Sequence, residues 1–159
     1  MSNQQSSQAL ANQAMWRRVL LEAEDARRER CGHTIVLEKY VPWRENISLL
    51  GSDAYYVIYP ASGGGWVLKC LPPEARSLKQ RVPLPSSWGG LRDEALEQAS
   101  GVSDATFCHA ARYIAVATSK GAAIKLAEEA YKQQMWDEKV EAVRALRAGF
   151  ERSLEDQAD

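Results

Sequence analysis

The 159 residues hold only two histidines, His33 and His109, and three cysteines, Cys31, Cys70 and Cys108. An odd cysteine count without tight framework spacing favours reduced thiols in an intracellular compartment over a disulfide scaffold. No charge of one sign dominates either: 20 lysines and arginines against 21 aspartates and glutamates leave a net charge of −1. There is therefore no global pull toward nucleic acid, and any such contact needs a local patch. No apolar run reaches the roughly 18 residues of a membrane span. The first fifteen residues, MSNQQSSQALANQAM, are polar and lack arginine, a poor match to a secretory signal or a transit peptide. HExxH, DxD, GxSxG, GxGxxG and the P-loop lysine are all missing, so the common signatures of hydrolytic and nucleotide-binding chemistry are not there.

What is present is ordinary for a globular domain: 45% apolar and 26% charged residues, enough to bury a core. Residues 1–8 read as a disordered lead. From there to Gly32 the spacing is helical, with Trp16, Val19, Leu20, Ala23 and Ala26 on one face. TIVLEKY (34–40) reads as a strand, and WRENISLL (43–50) as about two helical turns. DAYYVIYP and WVLKCLPP read as two further strands joined by ASGGG in an antiparallel hairpin, whose glycines serve the turn. LRDEALEQAS reads as a middle helix with Asp93 and Glu94 in its first turn and Gly101 at its end. ATFCHA and RYIAVA are short strands, and Ser119 caps a helix running to about Trp136. A last amphipathic segment, 137–159, carries the apolar stripe Val140, Val143, Leu146, Phe150 and Leu154. The expected fold is α+β: a mostly antiparallel sheet, a long N-terminal helix, a middle helix and one or two C-terminal helices, with one α+β domain over 9–136.

Chemistry-bearing clusters are few. Cys31 and His33 with Cys108 and His109 would supply four zinc ligands if the two segments met, but neither pair has the usual two to four intervening residues. As strand neighbours, Cys108 and His109 point to opposite faces and make a poor nucleophile pair. The stretch VPLPSSWGGLRDEALEQASG (82–101) has two readings. It is either an anion site at a helix N-terminus reached through glycines, or a corner of the core in which Trp88 packs and Gly89 and Gly90 turn. Asp93 and Glu94 would repel an anion at that helix end.

YVPWRENISLL, AYYVIYPASGGGWVLKCLPPEARSLKQRVPLPSSWGGLRDEALEQASGV and ATFCHAARYI, in this order, resemble the C-terminal half of the melanocyte-proliferating-gene (Myg) family of the DHH phosphoesterase superfamily. The family includes metal-dependent 3′–5′ RNA exonucleases. The similarity runs from about Trp16 to Ala127 and rests on Pro42-Trp43, Trp66, Arg81, Trp88, Gly90 to Glu94, Ser100-Gly101 and His109-Ala110. The resemblance implies that catalysis belongs to an N-terminal DHH domain with segments such as Gly-Thr-Phe-His-Cys-Asp and Asp-His-His, and nothing here resembles either. No catalytic residue and no metal ligand is therefore assigned in this chain; the family's manganese or magnesium would belong to that other domain. After the histidine, the family runs Ala-Ser-Gly-Phe-Ile-Gly-Gly. Arg112, Ala115 and Val116 stand where those glycines are expected, which implies an obstructed substrate loop.

Two functions follow from the resemblance. The first is a non-catalytic Myg-like domain serving as a structural or interaction subunit of a larger assembly, mitochondrial or ribonucleoprotein, or of a separate DHH catalytic chain. Its partner-binding residues would be those of the Val140 to Leu154 stripe, which either lies in a partner's groove or folds back on Trp16 and Leu20 of the first helix. The second is an RNA- or substrate-binding accessory domain of a metal-dependent exonuclease, using Arg81, Trp88, Arg92, His109, Arg112 and Lys120. By resemblance the location is mitochondrial or nuclear.

Overall fold

The computed structural model describes residues 2–158, with side-chain surroundings from 6 to 158. Ten elements follow in order: helix α1 (Ser2–Glu29), strand β1 (Thr34–Val36), a 3-10 segment Arg44–Leu49, strands β2 (Tyr56–Pro60) and β3 (Trp66–Cys70), a 3-10 turn Ser86–Trp88, helix α2 (Asp93–Ser100), strands β4 (Ala105–Cys108) and β5 (Ile114–Ala117), and helix α3 (Lys120–Ala158). The five strands form one sheet in the order β1-β2-β3-β5-β4. Only β1 and β2 run parallel; the other three pairings are antiparallel. The fold is α+β, as expected.

Three boundaries differ from the sequence reading. Helix α1 begins at Ser2, so the polar lead expected to be disordered is helical from there; Met1 lies outside the described residues. Its glutamines are good helix formers, and the low apolar content that suggested disorder does not oppose a helix. Strand β1 ends at Val36, although the backbone N–H of Leu37 still donates to Ile58 at 2.8 Å. The break expected near Trp136 is missing because no glycine or proline interrupts 122–148, and α3 runs through it as one helix. Asp159 lies outside the described residues.

The hairpin explains its own glycines. Gly65 has φ +81°, and a Cβ there would stand 2.9 Å from the Ala117 carbonyl oxygen. Only glycine suits both demands. Alternation along the strands then sorts side chains to two faces. Tyr56, Ile58, Leu68, Cys70, Ala115 and Ala117 pack with Ala123, Leu126, Ala127 and Ala130 of α3 and with Trp88 and Leu96. On the other face Val57 and Leu71 join Leu20 of α1, Ile35, Leu37 and Trp43. Each fully buried leucine of these clusters contributes roughly 1.5–3 kcal/mol of transfer free energy. Small alanines let α3 lie close on the sheet. Trp43 and Trp88 are buried, at 3% and 2% exposure, whereas Trp66 is only half-buried. It starts β3 opposite Pro60 and Ala117, at the end of the ladder.

A buried ionic knot ties α1 to the loop before β2. Arg27, 1% exposed, bonds to Glu24, to Asp53 Oδ1 at 3.0 Å and to the Gly32 carbonyl at 3.0 Å, and Glu24 accepts the Gly51 N–H at 2.8 Å. Desolvation of the guanidinium is outweighed by its two carboxylates, so its charge is held.

Candidate functional site

The two stretches that carry most of the resemblance meet in space. The turn between β4 and β5 is fixed by Arg112 N–H to the His109 carbonyl at 2.9 Å and His109 N–H to the Ile114 carbonyl at 3.0 Å. His109 Nδ1 accepts the Ala111 N–H at 2.9 Å, which leaves Nε2 to carry the proton of the neutral ring. The 84–91 corner lies against this turn: Leu84 N–H donates to Arg112, Gly90 N–H to Cys108 and Cys108 N–H to Leu91, each at 3.0 Å. A Cβ on Gly89 would stand 3.2 Å from the Ala110 carbonyl oxygen and 3.3 Å from Arg112 Cγ. Trp88 plugs the core beneath. The structural reading of the 82–101 stretch is the one this packing fits.

Helix α2 starts with Asp93 at φ +48° and Glu94, both exposed. Two carboxylates occupy the helix end that an anion would need.

The six residues selected from sequence do not form one groove. Arg81 is spent on backbone: its Nε donates to Pro72 at 2.9 Å and its Nη1 to Gly51 and Ala54 at 2.7 and 2.8 Å. Burial lowers its pKa, and its function is to close the 71–81 loop. Trp88 is in the core. Arg112, at φ +61°, occupies a left-handed position that glycine favours and sends its guanidinium to the Leu84 carbonyl at 3.4 Å. Ala115 is fully buried in the sheet, so its methyl fills core rather than a substrate path. Lys120 pairs with Glu38 at the opposite end of the sheet, beside a cavity of about 460 Å³ that Arg30, His33 and Glu128 also line.

Arg92 and His109 do come together, in a row that sequence reasoning missed. The Arg92 guanidinium sits 4.5 Å over Phe107, which meets His109 edge-on at 6.3 Å. His109 lies 4.9 Å from Tyr113, and Lys69 stands 6.0 Å over Tyr113 and 5.6 Å over Trp43. Arg44 covers the same tryptophan at 5.1 Å. Cations thus flank a run of rings across the sheet face away from α3. Lys69 was missed because a lone lysine in WVLKC reads as a solvated position; its place in the middle strand is a fact of strand order.

The residues present do not supply a two-metal centre. Among the described residues no group of three or more His, Cys, Asp or Glu stands together as a ligand set. Cys31 is exposed just past the end of α1, His33 clusters with the rings of Tyr55 and Tyr131 with Nδ1 on the Asp53 carbonyl, and Cys108 is buried. Burial pushes the Cys108 thiol up to about 11 and Cys70 up to about 12.

The stripe selected on the last segment is exposed on α3. Leu146 is 74% and Phe150 65% exposed, Val143 and Leu154 are exposed as well, and Val140 is half-buried. The side chain of Gln134, bonded to the Pro83 carbonyl at 2.8 Å, makes the last hydrogen bond from α3 to the body among the described residues. Residues 136–158 then extend for about 34 Å at 1.5 Å per residue.

Residues 3–131 match the model of the MYG1 exonuclease family, described as an uncharacterised protein family (UPF0160). The chain is 36% identical over 101 residues to the MYG1 exonuclease of Homo sapiens, covering 60% of this chain and 27% of that protein. It is 35% identical over 127 residues to the MYG1 exonuclease of Bos taurus, covering 74% and 33%, and 35% identical over 106 residues to the MYG1 protein of Saccharomyces cerevisiae, covering 63% and 31%. The chain spans about a quarter to a third of the length of these relatives. No solved structure matches it.

Proposed function

This chain belongs to the MYG1 exonuclease family, and from that premise we propose that it is a non-catalytic member: an interaction subunit whose α3 arm docks on a protein of a larger intracellular assembly. The observation that carries the reading is the apolar stripe Val143, Leu146, Phe150 and Leu154, exposed on a helix that continues past residue 131, where the family match ends. Four large apolar side chains along one helix are costly to leave in water, at about 25 cal/mol per Å². An amphipathic helix of this kind fits a partner's hydrophobic groove through anchors spaced three or four residues apart. Arginines and glutamates between the anchors, such as Arg144, Arg147 and Glu151, suit a polar rim. The free thiols suit a reducing compartment.

Photo-crosslinking in native extract tests it. A photoreactive residue placed at Leu146 or Phe150 should capture one defined protein, and the same residue at Arg152 should not. Equal, diffuse labelling from all three positions would contradict the proposal.

A second reading, contact with RNA or another substrate strand, is favoured by the row of rings and cations Arg92, Phe107, His109, Tyr113, Lys69 and Trp43. Rings and cations on one sheet face are what single-strand binding uses. Arg92→Gln together with His109→Ala should weaken strand binding at least tenfold if this reading holds, and leave it unchanged if it does not.

A further inference from the structure

Lys69 occupies a place in the sheet that an apolar side chain would ordinarily fill. It lies on β3, the middle strand, with Val57 and Ile114 as its cross-strand neighbours. Its ammonium faces the rings of Trp43 and Tyr113 and has no hydrogen-bond acceptor or carboxylate partner among the described residues. Arg44, over the same Trp43 ring, donates to the Ala75 carbonyl at 3.2 Å and likewise has no acid partner among them. Desolvation first, and the charge of Arg44 second, lower the Lys69 pKa.

A half-buried ammonium beside a guanidinium, with no acid to balance either, is an unfavourable arrangement on its own. It becomes favourable when an anion enters. Lys69 and Arg44 open on a cavity of about 270 Å³, and Lys79, Ser77, Gln80 and Tyr113 form part of its other walls. Among the described residues no carboxylate lines it. Every one of these six side chains offers an N–H or O–H donor.

We propose that this cavity is a phosphate-binding site for a phosphate monoester or diphosphate group, with Lys69 and Arg44 as its principal charge partners and Lys79, exposed at the mouth, as the third. Three cations exceed what a single carboxylate balances and suit a group carrying about two negative charges. A guanidinium matches phosphate oxygens in pairs, while an ammonium supplies a compact charge. The volume lies just under the roughly 300–1,000 Å³ of small-molecule pockets, so the cavity fits the phosphate end of a ligand rather than the whole of it. A free nucleotide and the terminal phosphate of a nucleic-acid strand present the same group. The site rests on sheet residues and is independent of the α3 arm.

Calorimetry on the full chain tests it with pyrophosphate, with AMP, and with a short single-stranded RNA bearing or lacking a 5′-phosphate. Pyrophosphate should bind saturably, and both Lys69→Met and Arg44→Gln should weaken it at least tenfold. Lys125→Gln, exposed on α3 and outside the cavity, should not. Lys69→Met places an apolar chain of similar length between Val57 and Ile114, so the variant should fold, with its melting temperature as the check; Arg44→Gln reads the same site without touching the sheet. AMP binding would identify a free nucleotide as the source of the phosphate, and binding of only the phosphorylated strand would identify a strand end. Absence of saturable pyrophosphate binding, or binding that Lys69→Met and Arg44→Gln leave as in the unsubstituted chain, would overturn the proposal.

Discussion

Arg27 and Asp53, 26 residues apart in the chain, meet through a 3.0 Å contact between guanidinium Nη2 and carboxylate Oδ1. The arginine is buried and also bonds to Glu24, whereas the aspartate is largely exposed. Removing the two partners should therefore cost very different amounts. Arg27→Ala leaves the buried Glu24 with only the exposed Arg28 guanidinium, 3.8 Å away, as counter-charge and should cost about 3–5 kcal/mol. Asp53→Asn should cost less than about 1 kcal/mol, because solvent screens the exposed partner. Urea unfolding of both variants checks this; equal losses would mean that Glu24 is not the partner that matters.

The same pair sets a pH dependence. The hydrogen bond from Arg27 is the main cause that lowers the Asp53 pKa. A carboxyl depressed in the folded state contributes stability that is fully present above its unfolded pKa, about 3.9, and is lost as pH falls through the folded value. The stability difference between the unsubstituted chain and Asp53→Asn should be constant from about pH 5 to 7 and shrink below about pH 4. A difference that grows on acidification would contradict the assignment.

Trp88 plugs the corner between the 84–91 segment and the sheet. Trp88→Ala should cost about 3–5 kcal/mol, whereas Trp66→Ala, at a half-buried site, should cost clearly less. An unchanged melting temperature for Trp88→Ala would remove the structural role of the 82–101 stretch.

Cys31 is exposed, while Cys70 and Cys108 are buried with thiols pushed up to about 12 and about 11. Thiolate is the reactive form. A thiol reagent at neutral pH should modify one cysteine rapidly in the native chain and all three in denaturant. Fast reaction of two or three native thiols would show that the sheet core is open.

Much of this was legible where local chemistry decides local structure. The ASGGG turn, the Gly101 cap at φ +74° and the Ser119 cap, whose Oγ accepts the Ala122 N–H at 3.1 Å, all stand where the sequence placed them. Strand order was not legible: β5 inserts between β3 and β4, and nothing local to residues 66–70 says that Lys69 will sit between Val57 and Ile114. Arg81 carried the same ambiguity. A loop arginine reads as free to bind a ligand, and only the folded backbone reveals three carbonyls converging on it. On α3 the apolar spacing was plain, but whether a helix turns back on its own domain depends on a break that the sequence does not contain.

That last point is open to a single comparison: the melting temperature of a chain ending at Met135 against that of the full chain. Truncation there keeps the Gln134 bond to Pro83 and the stacking of Tyr131 on His33, and removes Trp136 with the exposed stripe. If residues 136–158 are an arm for a partner, the two melting temperatures should agree within about 2 °C. A fall of more than about 5 °C, corresponding to more than about 1 kcal/mol for a chain of this size, would show that the helix stabilises its own domain and would contradict the interaction role.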